Sequence, residues 1–216
     1  MKILIAITVL MINYTSYTQI YKDHIDSLYK ECNLEAKLSK LIFHKAVTGF
    51  YNLKYEGKVT GNRIAIVDFR QSSSDPRLYV IDLQDKVLMF RCKVAHGIKS
   101  GKRYAIQFSN TKNSWQSSLG FFKTSEMYKG INGISLRLDG LDGDYNDNAR
   151  IRNIVYEIIN AIKNGNCLFV YTHTYKGQIA TMRLNESLAE KYYNKLKSAN
   201  ELLDLINNIN GYEKDL

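Results

Sequence analysis

The stretch from Leu78 to Phe90 constrains this chain more than any other. It reads Leu78-Tyr-Val-Ile-Asp-Leu83, then Gln84-Asp85-Lys86, then Val87-Leu-Met-Phe90. An apolar run rich in β-branched and aromatic residues, a polar triplet and an apolar return specify an antiparallel hairpin. Alternation along the first strand puts Leu78, Val80 and Asp82 on one face and Tyr79, Ile81 and Leu83 on the other. The second set is the more apolar, so it is expected to face the core. A lone hairpin is marginal in water, so further strands must join it. Candidates are Ile64–Phe69, Lys102–Phe108, Leu119–Thr124, Ile134–Leu138 and Cys167–Tyr171.

Helical periodicity brackets this β-rich middle. Ile25, Leu28, Tyr29 and Cys32 recur at three- and four-residue spacing. Asn33 is a candidate cap for a second helix carrying Leu34, Leu38, Leu41, Ile42 and Val47, with Gly49 as its stop. Ile151–Lys163 reads as another helix, with Gly165 as its C-cap. Beyond Asn185, residues Leu188, Tyr192, Leu196, Ala199, Leu203, Ile206 and Ile209 share one helical face. The expected fold is α+β, a mainly β core flanked by N- and C-terminal helices. Its divisions are a signal peptide at 1–19, a helical segment at 20–50, a β-rich domain at 51–175 and an amphipathic helix at 185–210.

Composition agrees with a globular chain. Among 216 residues, 45% are hydrophobic and 24% charged, which excludes disordered, collagen-like and coiled-coil classes for the whole molecule. Three cysteines do not build a disulfide scaffold. Thirty basic against 21 acidic residues give +9, which favours an anionic partner such as nucleic acid, a membrane surface or an acidic wall polymer. Bases are interspersed with acids, and no aromatic–glycine ribonucleoprotein motif occurs, so nucleic acid is not the expected partner.

The N-terminus sets the compartment. Lys2, the apolar run Ile3–Ile12 and the polar exit from Asn13 to Gln19 match a secretory signal peptide. The run is short for a membrane span, so no span is expected after its removal. Export to the periplasm or cell envelope follows.

Local motifs supply little chemistry. Asp142-x-Asp144-x-Asn146 opens like a calcium loop, but Asp147 stands at the glycine position and Asn153 at the glutamate position. A solvated turn is expected there. His24, His44, His96 and His173 are dispersed and form no metal-ligand pair, so no metal or other cofactor is expected; His24 and His44 read as helix-surface residues. Cys167 and His173 fall about 20 Å apart along one strand, too far for proton transfer.

Several stretches, in order, resemble a known family. They are Ala46-Val-Thr-Gly-Phe-Tyr-Asn-Leu53, Ile66–Phe69, Arg77–Leu83, Val94-Ala-His-Gly97, Phe108-Ser-Asn-Thr111 and Gln116-Ser-Ser-Leu-Gly-Phe-Phe122. Ser135-Leu-Arg-Leu-Asp-Gly-Leu141, Asn146-Asp-Asn-Ala-Arg150 and Asn164-Gly-Asn-Cys-Leu-Phe-Val-Tyr171 follow. From about Leu41 to Tyr171 the chain resembles the murein L,D-transpeptidase catalytic domain family (YkuD-like). The resemblance implies a β-rich sheet or sandwich, peptidoglycan stem peptides as partners, and acyl transfer through a cysteine nucleophile and a histidine base.

The chain departs from that pattern at the chemistry. After Asn146–Arg150 the family runs to a His-Gly strand and then to a Ser-x-Gly-Cys-Pro motif. Here Ile151–Val155 passes directly into Tyr156–Lys163, and Ser-x-Gly-Cys occurs nowhere. No catalytic residue carries over. His96, Gly97, Ser117, Ser118 and Arg150, which lie in matching stretches, are the candidate cleft-lining residues. The loss is expected to leave the sheet incomplete, with a gap or an unpaired edge. Three readings follow: an exported relative without transferase activity, an active transferase using other residues, and a basic structural or partner-binding envelope protein. The sequence leaves the oligomeric state open.

Overall fold

The computed structural model describes residues 19, 21–130, 133–148, 168–172, 174–175 and 178–179. Helix α1 (residues 21–31) and helix α2 (Lys40–Tyr55) come first. The strands are β1 (Arg63–Asp68), β2 (Leu78–Asp82), β3 (Val87–Cys92), β4 (Gly120–Gly130), β5 (Gly133–Gly140) and β6 (Leu168–Thr172). A single helical turn, α3 (Gly143–Asn146), precedes β6, and β7 (Thr174–Tyr175) pairs with β8 (Gln178–Ile179). The signal segment, the 151–163 and C-terminal helices, Cys167 and His173 lie outside the described residues.

Both helix boundaries differ from expectation, for a local reason. Asn33 ends α1 instead of opening α2. It takes φ 51°, Asn33 N donates to Lys30 O at 2.9 Å and Leu34 N to Tyr29 O at 3.2 Å. That pair of bonds is the Schellman closure, which asparagine tolerates in place of glycine. The second helix begins after Ser39 and runs through Gly49 to a second Schellman closure at Gly57, φ 71°. Gly49 is inside the helix because the Phe121 ring lies against it: a Cβ there would sit 1.9 Å from Phe121 Cζ.

The six main strands form one mixed sheet, ordered β3-β2-β1-β6-β4-β5. All pairings are antiparallel except β1 with β6. The fold is α+β, and the β layer of the described residues is a sheet and not a sandwich. Among the described residues no gap opens in it: β6 pairs with β1 on one side and β4 on the other, and the edge strands are β3 and β5.

The hairpin is antiparallel as expected, and both faces of its first strand β2 are covered, while the edge strand β3 stays exposed or half-buried. Tyr79, Ile81 and Leu83 join Ile64, Ile66 and Phe121 beneath the two helices. Leu78 and Val80 join Ala65, Val67, Phe69, Phe122 and Leu138 in a second core. The long segment 93–119 covers that second face through Ala105, Val94, Phe108 and Leu119. A sheet buried on both faces reads as continuous apolar runs, which is why β1 and β2 alternate so weakly. Lys102–Phe108 is part of this covering segment and not a strand; only an isolated parallel bridge links Phe108 to Ser117.

Candidate functional site

The covering segment 93–119 carries four of the five candidate residues, and a buried arginine anchors it. Arg77 immediately precedes β2 and is fully buried. Its Nε and Nη2 donate to Val94 O at 3.1 and 2.8 Å, and its Nη1 to Gln71 O at 3.0 Å. Nη2 also donates to His96 Nδ1 at 2.7 Å. The guanidinium lies over the Phe69 ring, 5.1 Å from its centroid. Burial lowers the Arg77 pKa, while the fields of Asp68 and Asp75 oppose that shift. Asp68 is itself buried at the end of β1 and holds Arg70 through two contacts, Nε at 2.8 Å and Nη2 at 2.6 Å.

His96 is tied at both ring nitrogens. Nδ1 accepts from Arg77, so Nε2 carries the proton and donates to Gly101 O at 3.1 Å. The ring stands edge-on to Phe69, with centroids 6.4 Å apart. Gly97 passes so close to the returning chain that a Cβ would lie 2.5 Å from Trp115 O. Its N–H donates to Ser117 Oγ at 2.9 Å, and Ser117 N–H donates to Ser100 Oγ at 2.8 Å. Ser118 Oγ donates to Ser109 O at 2.7 Å.

The structure therefore brings His96, Gly97 and Ser117 together and directs Ser118 to a different carbonyl. No hydrogen bond joins His96 to either serine. Arg150 lies outside the described residues. The role of these groups is to close the segment upon itself, with Ser100 at the centre: its N–H donates to Gly97 O and its carbonyl accepts from Ile106 N and Gln107 N. Arg77 and Ser100 did not stand out in the sequence. An arginine beside a proline is ordinarily a surface residue, and only its position against two backbone carbonyls and the His96 ring reveals its part.

A second polar knot corrects the expected solvated turn. Asp142 and Asn146 are buried, not solvated. Phe121 N donates to Asp142 Oδ2 at 2.6 Å, and Asp142 N to Asn146 Oδ1 at 2.9 Å. Asn146 Nδ2 donates to Leu119 O at 3.1 Å and Phe121 O at 2.9 Å. The Asp-x-Asp-x-Asn pattern thus clamps the start of β4. Gly120, at φ 106°, allows the approach, since a Cβ would meet Asp142 Oδ2 at 2.4 Å.

His24 and His44 are half-buried and not on the open surface. His24 Nε2 contacts Tyr51 OH at 2.9 Å, and burial lowers its pKa. His44 Nε2 meets Asp26 at 2.5 Å. Cys32 is buried under the helices, and burial pushes its thiol up to about 11. Cys92 lies half-buried on edge strand β3. Among the described residues no group of three or more His, Cys, Asp or Glu is placed to hold a metal ion. No described helix is long and apolar enough to cross a membrane.

The model of the L,D-transpeptidase catalytic domain family matches residues 34–157, more than half of the chain. No curated protein and no solved structure matches.

Proposed function

The chain belongs to the L,D-transpeptidase catalytic domain family, and from that premise we propose that it is an exported envelope protein that engages peptidoglycan stem peptides without transferring them. Membership itself makes it a peptidoglycan-related, transpeptidase-like protein. The observation that carries the rest is where the likeness breaks. The family match ends at residue 157, two residues past Val155, where the chain passes directly into Tyr156–Lys163. The Ser-x-Gly-Cys-Pro element expected beyond that point has no counterpart in the sequence.

Acyl transfer at neutral pH needs a thiolate or an activated hydroxyl beside a base. Cys32 offers neither access nor acidity, being buried with its thiol raised to about 11. The Ser118 hydroxyl is engaged by a backbone carbonyl, and His96 spends both nitrogens on holding the covering segment. Both facts support the inactive reading over an active transferase with substitute residues. Export rests on Lys2 and the Ile3–Ile12 run.

The test is intact-mass spectrometry after incubation with a tetrapeptide donor or a carbapenem, paired with pull-down on purified sacculi. The expected result is no adduct together with retention on sacculi. A stable adduct on Cys92 or Cys167, lost when that cysteine becomes alanine, would show the inactive reading wrong. Failure to bind sacculi would remove the peptidoglycan part of it. Full-length protein in the cytoplasm with Met1 retained would overturn export.

A further inference from the structure

The segment 93–119 has a second property that its packing role does not explain. Its inner side chains cover the sheet, but Ile98, Ile106, Trp115 and Tyr104 stand 79%, 65%, 67% and 48% exposed. Three of them are brought together by backbone bonds around Ser100. Lys99 N donates to Trp115 O at 3.0 Å, Ile106 N to Ser100 O at 2.8 Å, and Ser100 N to Gly97 O at 2.7 Å. Trp115 also sits at φ 62°, a left-handed conformation that a bulky residue rarely adopts. The fold thus holds an indole in water at a conformational cost.

The charge on this segment is one-sided. It contains Lys93, Lys99, Lys102, Arg103 and Lys112, all exposed, and no aspartate or glutamate. None of the five takes part in an ion pair among the described residues. Elsewhere on the chain bases and acids are interspersed, so this is a local cationic field and not only the overall excess.

We infer that the 93–119 lip docks on an anionic phospholipid surface, with Ile98, Ile106 and Trp115 entering the interface and the five cations meeting headgroup phosphates. The pairing of residue types decides the occupant. Aliphatic side chains flanked by Lys and Arg partition into the headgroup–acyl boundary, where Trp and Tyr also concentrate. A sugar ring would stack on the aromatics but gain little from the two isoleucines, which are the most and third most exposed of the four. A protein interface would deplete charge at its centre, and here every apolar residue is set among cations. The lip shares its segment with His96, Gly97, Ser117 and Ser118, but the inference does not rest on the stem-peptide reading, because vesicle binding and sacculus binding are measured separately.

The assay uses the full chain, and Trp115 is its only tryptophan. Its emission is expected to shift to shorter wavelength with vesicles of phosphatidylcholine and phosphatidylglycerol, and not with phosphatidylcholine alone. High salt should reverse the shift, since screening removes the attraction. In sedimentation with the same vesicles, Trp115→Asn should weaken binding about tenfold, the worth of burying one large apolar side chain. Asparagine accepts φ near 60°, so that variant should melt no lower than the parent, which separates lost docking from lost folding. Replacing Lys99, Lys102 and Lys112 with glutamine should weaken binding on the order of a hundredfold, at about fivefold per cation. No shift and no sedimentation with anionic vesicles at low salt would overturn the inference. So would equal binding to neutral and anionic vesicles, or an indole shift produced only by sacculi or nucleic acid.

Discussion

Replacing Gly49 with alanine sets helix propensity against packing. In an exposed helix interior, Gly→Ala stabilises by about 1 kcal/mol. Gly49 is buried in α2, and the new Cβ would fall 1.9 Å from Cζ of Phe121 and 2.6 and 2.7 Å from its two Cε atoms. Phe121 is on β4, fully buried beneath both helices, so the ring has no free volume to turn into. The conflict must be relieved by moving the helix from the sheet or the ring off its rotamer, at about 2–3 kcal/mol, the upper part of the overpacking range, because three ring atoms are in conflict. The propensity gain offsets only part of this, leaving a net loss of about 1–2 kcal/mol. For a chain of this size that corresponds to a fall in Tm of about 2–8 °C. Urea unfolding followed by far-ultraviolet circular dichroism measures it; fluorescence is unsuitable because Trp115 is already exposed. The double variant Gly49→Ala/Phe121→Leu should lose less than the two single changes summed, because a smaller side chain accepts the methyl. A Gly49→Ala protein as stable as the parent, or more stable, would refute the claim that Phe121 keeps this position a glycine.

Two further perturbations test the polar knot and the buried thiol. Asn146→Asp is nearly isosteric but replaces two donors with an acceptor facing Leu119 O and Phe121 O, beside the Asp142 carboxylate; it should cost about 3 kcal/mol or more at neutral pH, and a change under about 0.5 kcal/mol in urea titration would refute the clamp. For Cys32 the folded thiol is raised to about 11, whereas the unfolded one ionises at about 8.5. Above pH 8.5 the unfolded chain releases a proton that the folded chain keeps, so stability falls as pH rises toward 11, by about 3 kcal/mol. A Cys32→Ala chain lacks that contribution, and its stability difference from the parent should shrink steadily between pH 9 and 11; a constant difference would contradict the burial of the thiol.

The parts of the fold that were legible in the sequence are those whose cause is local. The hairpin is written in two apolar runs and a polar triplet, and the period-3.6 pattern of Ile25, Leu28, Tyr29 and Cys32 appears as a buried helix face. Asn33 and Gly49 misled because the same residue types have two uses. A helix-favourable cap and a left-handed helix end both select asparagine, and a glycine marks either a stop or a close approach. Only the Phe121 ring, which belongs to β4, decides the second case. The candidate site was legible as a set of stretches but not as a geometry, since His96 acquires its tautomer from Arg77 and Ser117 its role from Gly97 and Ser100.

The misread strand at Lys102–Phe108 makes the connection between the sheet and the lip. Tyr104, Ile106 and Phe108 recur at a spacing of two, with Arg103, Ala105 and Gln107 between them, which resembles a half-buried strand. In the structure Ala105 is buried against the sheet, Phe108 packs on the same core, and Tyr104 and Ile106 point into water. The spacing is real, but its apolar set divides between two destinations. One serves the second core beneath the segment, and the other stands outside with Ile98 and Trp115 among five unopposed cations. A sheet face covered by an irregular segment must be held by side chains and not by a hydrogen-bonded ladder, which accounts for the buried Arg77 and Ser100. The same irregularity frees the outer residues from any strand partner, so their apolar character answers to something other than this chain's own core.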